Sequence, residues 1–476
     1  MINHPSMRRR LGIINDVIAL VNIVVLLAMR ASTICAAATD EIPRFEGHGK
    51  CDRPMCHGAE IAAPLRQQTW LHGGASQVEG SLARSAHTRW RNRIFDRHSE
   101  AYRTLTHSEG ETIGGHMGID PTTSAKCLRC HAPPATADPA GSHRVEDGVS
   151  CEHCHGPSEF WLGAHFQRDW ASKRGQYLTR WFHDLWDFVA RAETCASCHV
   201  TIDHEIVAAG HPALQSEIVA YSAVMKHWND LDRLPTGTFS PDPSLWAIGQ
   251  IVGLRITVKM ISQRAGRTDF QAIGDYSHFT DKQCYQCHHK LIEDAVRQAL
   301  GHYEMVDIIT QIVFPESRGE LDRLWTDLTT ALPDSADETQ RQSERLEQWL
   351  VPQERRLSEH VLDQVTTRRL LDRITSSGNR LKTIELNDHT SLIDKSSVTR
   401  IDNIGEPWWY TTGPPEQTIM AIEALCEPAF PGRCAAGPGG IEPELREILN
   451  AVDDRLHYRP DQFGNALNSI RAKLFH

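Results

Sequence analysis

The chain has 476 residues, enough for two domains, with a formal net charge of -11 and an aromatic content of 7%. Such an acidic surface argues against nucleic acid and anionic lipid as partners and favours solubility with a basic docking partner. The 13 cysteines and 26 histidines are unevenly placed, and that placement carries the chemistry.

Residues 1–38 read as an export signal. Met7-Arg8-Arg9-Arg10 is a basic start, Val17 to Met29 an apolar stretch, and Ala31 to Ala38 a run of small residues around Ile34 and Cys35. The apolar stretch is short for a bilayer span, and an uncleaved anchor is the alternative reading. Cleavage would remove Cys35 and leave a more acidic, exported chain without membrane insertion, in the periplasm or another extracytoplasmic space.

Between His48 and His302 lie 21 of the 26 histidines, and a first domain is expected over 39–302. It holds four Cys-x-x-Cys-His motifs: Cys127/Cys130/His131, Cys151/Cys154/His155, Cys195/Cys198/His199 and Cys284/Cys287/His288. Two thiols so spaced can add to the two vinyl groups of one porphyrin, and the next residue can place its imidazole under the iron. Structural zinc is the bland alternative. A zinc ribbon, however, places no demand on the residue after the second cysteine, and here it is histidine every time. Cys51 and Cys56 with His57 end in the same way, but four residues separate the thiols. The motifs predict haem c at four sites and, with this longer segment, five. Gly, Pro, Asp and Ser between them predict short helices and long loops wrapped on closely packed haems, with little strand.

Each motif histidine leaves one axial position. His98, on an amphipathic segment, His165, expected on a short helix, and His211, behind Gly210, are the leading distal candidates. His204 and His116 follow. For His87, His227, His278 and His289 a surface or hydrogen-bonded histidine is the favoured reading.

Beyond residue 302 the pattern turns helical, and a second domain is expected over 303–476. Leu321, Leu324, Trp325 and Leu328 form one apolar stripe, and Leu357, Val361, Val365 and Ile374 another. Three segments starting at Pro415, Pro443 and Pro460 begin as helices do. Pro333 to Ser343 reads as a polar linker. Cys426 and Cys434 could form a disulfide or remain thiols. Nothing here has metal-ligand spacing, so the region reads as a helical cap or partner-docking bundle. A chain ending near 302 is expected to keep its haems. The fold class is mainly α with much irregular loop.

Several stretches resemble multihaem cytochromes of the cytochrome c-554 type: Asp96 to Tyr102, Cys127 to His131, Asp147 to Pro157, Cys195 to Val200 with His204-Glu205 and Ala209 to Pro212, and the end of the last motif. The resemblance implies a periplasmic electron carrier with closely packed, mostly bis-histidine haems, and supports His98, His165 and His211 as ligands. The expected function is electron transfer between redox proteins, and an enzyme is the less favoured reading. The alternatives are a multihaem enzyme with one open iron, for nitrogen-oxide or hydroxylamine chemistry, and a structural subunit of a larger exported redox complex.

Overall fold

The computed structural model describes residues 43–51, 90–91, 96–132, 144–202, 206, 209–212, 216–224, 242–266, 292–331, 335–376, 414–434, 439–453 and 459–476. The chain divides into compact units of residues 1–44 and 45–476, and the second holds every element below. Among the described residues there are fifteen α-helices and no strand, as the sequence predicts. The export signal and Pro333 lie outside the described residues, as do Cys56, His57, His87, His204, His227, His278, Cys284, Cys287, His288 and His289.

The histidine-rich half is built from short helices joined by turns. These are α1 (Ala101–Thr104), α2 (Ser108–Met117), α3 (Ala125–His131), α4 (Cys151–His155), α5 (Trp170–Lys173), α6 (Phe188–His199) and α7 (Ile218–Val224). Only α2 and α6 reach ten residues or more. Asp187 starts α6 by accepting the Val189 and Ala190 N–H groups at 2.8 and 3.0 Å. His165 lies in a run of turns, with its N–H on the Trp161 carbonyl at 3.0 Å, and not on the expected helix.

A helical bundle follows: α8 (Pro243–Ala265), α9 (Ile292–Val313), α10 (Arg318–Ala331), α11 (Ala336–Ser358), α12 (Gln364–Thr375), α13 (Pro414–Ala429), α14 (Glu442–Asp453) and α15 (Pro460–Phe475). Asp242 caps α8, and Pro243 occupies its first turn, where a missing N–H costs nothing. By length and composition α8 could cross a membrane, yet 78% of its most apolar window is buried by other helices. It is a core helix. Trp246, Ile248, Ile251, Leu254 and Ile261 are fully buried on it, and each such side chain contributes about 2 kcal/mol of transfer free energy. Around α8 pack α6, α7, α9, α11 and α13.

One hydrophobic core therefore runs from Ala192, Ala196 and Val200 on and just after α6 to Leu474 on α15. The expected boundary at residue 302 falls inside α9, where His302 is itself buried.

Two expectations for the C-terminal half need correction. The stripe Leu357, Val361, Val365, Ile374 is not one face. α11 ends at Ser358 and Asp363 caps α12, which leaves Val361 and Val365 91% and 66% exposed while Leu357 and Ile374 are buried. Most of the segment read as a linker is the start of α11. Ser335 caps it through the Glu338 N–H, and Thr339 and Ser343 are buried under an exposed charged face. The first stripe holds, with Leu321, Leu324, Trp325 and Leu328 all buried on α10. Cys426 and Cys434 are joined as a disulfide closing the end of α13.

Candidate functional site

The three described Cys-x-x-Cys-His motifs occupy α3, α4 and the last turn and a half of α6. On a helix, positions i and i+3 share a face, so each pair of thiols is presented together with the histidine one residue on. These motifs converge. The Cys130 and Cys198 thiols lie beside one another, as do those of Cys51 and Cys151, and Arg129, next to Cys130, donates to the Thr201 carbonyl just after α6 at 2.7 Å. Cys154 lies close enough to Cys195 and Cys198 to feel their charge.

The segment bearing Cys51 is tied to α4 by Glu152, a residue the sequence reading passed over. Its buried carboxylate accepts three backbone N–H groups: Glu46 at 2.9 Å, Gly47 at 2.7 Å and Ser158 at 2.7 Å. Beside it, Gly156 follows the motif histidine with φ 81°, and a Cβ there would stand 1.7 Å from the Trp181 carbonyl oxygen. Only glycine fits that approach.

The candidate ligands share one posture. His131 Nδ1 lies 2.8 Å from the Ala101 carbonyl, His165 Nδ1 2.6 Å from that of Leu162, His211 Nδ1 2.9 Å from that of Pro212, and His116 Nδ1 2.8 Å from that of Ala209. His98 Nδ1 instead meets the Asp96 carboxylate at 2.8 Å. A carbonyl or carboxylate accepts only a protonated Nδ1. The neutral ring is thereby fixed in the tautomer whose Nε2 lone pair can bind a metal.

Two rings from the non-motif set lie against motif histidines. The His98 and His199 centroids are 6.0 Å apart with planes at 89°, and those of His131 and His211 are 6.1 Å apart at 79°. Burial holds His131 below the usual imidazole range and pushes His199 down to about 4, so both motif histidines are neutral at pH 7. His165 sits among Trp161, Phe166 and Trp170 at centroid distances of 5.6, 5.7 and 6.4 Å. That aromatic wall suits a flat apolar macrocycle. His116 is placed on α2 beside Ala209 and shows no ring contact with a motif histidine among the described residues. His183, which the sequence reading did not single out, binds back to α4 through its N–H on the His155 carbonyl at 3.0 Å.

These residues fit haem. The thiols come in pairs on one helix face, each followed by an imidazole, which burial keeps neutral at His131 and His199. An axial metal–nitrogen bond is about 2 Å, so two imidazoles across one iron have centroids about 6 Å apart, as both ring pairs do. Zinc fits less well: among the described residues no group of three or more His, Cys, Asp or Glu side chains is gathered as a bare metal ion would require.

The family model of cytochrome c554 and c-prime matches residues 84–156. No curated protein and no solved structure matches the chain. The matched segment contains the Cys127 and Cys151 motifs, His98 and Glu152, and c-type cytochromes are haem-binding redox proteins. Over residues 84–156 the chain is thus similar to the cytochrome c554 and c-prime family.

Proposed function

We propose that the protein is an exported multihaem electron carrier with five covalent haems, in which His98 and His199 ligate one iron and His131 and His211 another. The observation that carries this reading is the pairing itself. Each pair joins a motif histidine to a histidine from elsewhere in the chain, at 6.0 and 6.1 Å between centroids. Bound haem supplies an iron that takes up and gives back one electron.

The protein's own residues do the rest. The cysteines of each motif would tether a haem, and the His98/His199 and His131/His211 pairs would hold an iron at two of the sites, where the haem would supply electron transfer and not substrate binding. Hydrogen bonds from Nδ1 to Ala101, Pro212 and Asp96 orient the rings. The adjacent thiols of Cys130 and Cys198, and of Cys51 and Cys151, support side-by-side haems with short hops between them. His165, in its aromatic wall, is the proposed ligand of a further iron, and His204 and His116 remain candidates for others. A disulfide at Cys426–Cys434 agrees with an oxidising compartment outside the cytoplasm. Redox proteins are the proposed donor and acceptor, and docking within a larger exported redox complex is compatible with the same site.

Intact mass and a pyridine haemochrome assay of protein matured in a c-type-competent host should give five haems, and a count of four would remove the Cys51/Cys56 site. His98→Ala and His211→Ala should each convert one low-spin iron to high spin and create one carbon monoxide site per chain. If both proteins keep the parent spectrum, the ligand pairs are wrong.

A further inference from the structure

One ligand anchor differs in kind from the others. His131, His165, His211 and His116 rest their Nδ1 atoms on neutral backbone carbonyls, whereas His98 rests on the carboxylate of Asp96 at 2.8 Å. The Asp96 side chain is only 3% exposed, so its charge acts on the ring with little screening by water.

The geometry is held from several sides. The same carboxylate oxygen accepts the His98 backbone N–H at 2.8 Å, and the His98 carbonyl accepts the Val149 N–H at 2.9 Å. Gly148, at φ 63°, approaches so closely that a Cβ would lie 2.6 Å from the His98 carbonyl oxygen. The loop before α4 therefore fixes the backbone of His98, and Asp96 fixes its ring. An imidazole that donates its N–H to a carboxylate gains electron density at Nε2 and stabilises the more positive state of the metal it binds.

We propose that Asp96 is a positioning residue that lowers the reduction potential of the haem ligated by His98 and His199, setting it below that of the haem ligated by His131 and His211. This rests on the ligand pairs proposed above. The two sites are neighbours, because Arg129, beside Cys130, donates to the Thr201 carbonyl just after α6 at 2.7 Å and the Cys130 and Cys198 thiols lie beside one another. With haem bound at both, one electron would pass downhill from the His98/His199 site to the His131/His211 site. The first would be oxidised as the second is reduced, with no bond made or broken and no proton required. Asp96 thereby gives the chain a direction.

The test is a redox titration of the full-length holoprotein, followed by visible and electron paramagnetic resonance spectra, for the parent and for Asp96→Asn. Asparagine keeps an oxygen that can accept both His98 N–H groups and removes only the charge. One midpoint should rise toward that of the carbonyl-anchored site while the others stay in place, with haem count and low-spin signals unchanged. The component that moves should be the one that His98→Ala turns high-spin. Unmoved midpoints in a fully loaded Asp96→Asn protein would overturn the proposal, as would movement of a component that His98→Ala leaves low-spin. If Asp96→Asn does not accumulate with full haem, the parent decides. The component assigned by His98→Ala must titrate below the one assigned by His211→Ala, and the reverse order overturns the proposal. A His98→Ala protein with the parent spectrum removes the ligand reading, and this proposal with it, before any potential is measured.

Discussion

Glu217, buried just ahead of α7, and Glu423, half-buried on α13 with its Oε1 covered, are close enough to repel each other. Burial pushes Glu423 up to about 8 and Glu217 up to about 7, and Glu423 Oε1 has no hydrogen-bond partner. Both are raised above their unfolded values, so their contribution is fully present below about pH 4.5 and is lost as pH rises through 7 and 8. His302 acts in the opposite sense. Its pKa is pushed down to about 4 by burial, so the stability it contributes is present above about 6.5 and is lost as pH falls toward 4. Stability should therefore peak on the acidic side of neutral. Glu423→Gln, which removes a half-buried titrating group, should raise stability at pH 8 by on the order of 2 kcal/mol and leave it unchanged near pH 4.5. Urea denaturation at the two pH values checks this, and a variant less stable than the parent at pH 8 would sink the idea.

At the scale of elements, the informative contact is between α6 and the bundle. Arg255 on α8 reaches Glu193, two residues before Cys195, and binds Glu354 on α11 through Nε at 2.6 Å. The helix that presents Cys195, Cys198 and His199 is thus clamped at its charged side by an ion triad and at its apolar side by Ala192, Ala196 and Val200. Burial raises Glu354 to about 7 even with Arg255 beside it. Arg255→Met strands that carboxylate and should cost about 3 kcal/mol, while Arg255→Met with Glu354→Met should recover most of the loss. Denaturation midpoints of the two proteins decide, and equal midpoints would show that the ion pair is not what matters.

For the whole molecule, the consequence is that α6, which carries Cys195, Cys198 and His199, shares one hydrophobic core with helices on both sides of residue 302. Cutting there divides α9 and removes α10 to α15, which exposes Trp246, Ile248, Ile251 and Leu254 on α8 and weakens the support behind α6. A chain ending at 302 should lose at least the haem at Cys195/Cys198 or fail to accumulate, the reverse of what histidine distribution alone leads one to expect. Haem counting on the truncated protein measures this, and a full count at parental thermal stability would contradict it.

What the sequence determined by itself is local chemistry. Cys-x-x-Cys-His is legible because thiols and imidazole must sit within one or two helical turns, and α3, α4 and α6 present them so. The stripe on α10 and the proline starts were legible for the same reason, since each depends on neighbours three or four residues away. The misreadings came where two local signals competed. At Val361 and Val365 the apolar period runs through a helix break set by Asp363, and from Ser335 a polar run is helical because its buried positions are Thr339 and Ser343. Tertiary structure alone decided the rest. That His98 faces His199 across 101 residues and His211 faces His131 across 80 follows from chain packing, which no local spacing encodes. The same holds for Glu152 on the Cys51 segment and for Arg255 behind the last described motif. Each is an ordinary charged residue in sequence, and each matters because folding removes water from around it and leaves a single set of partners.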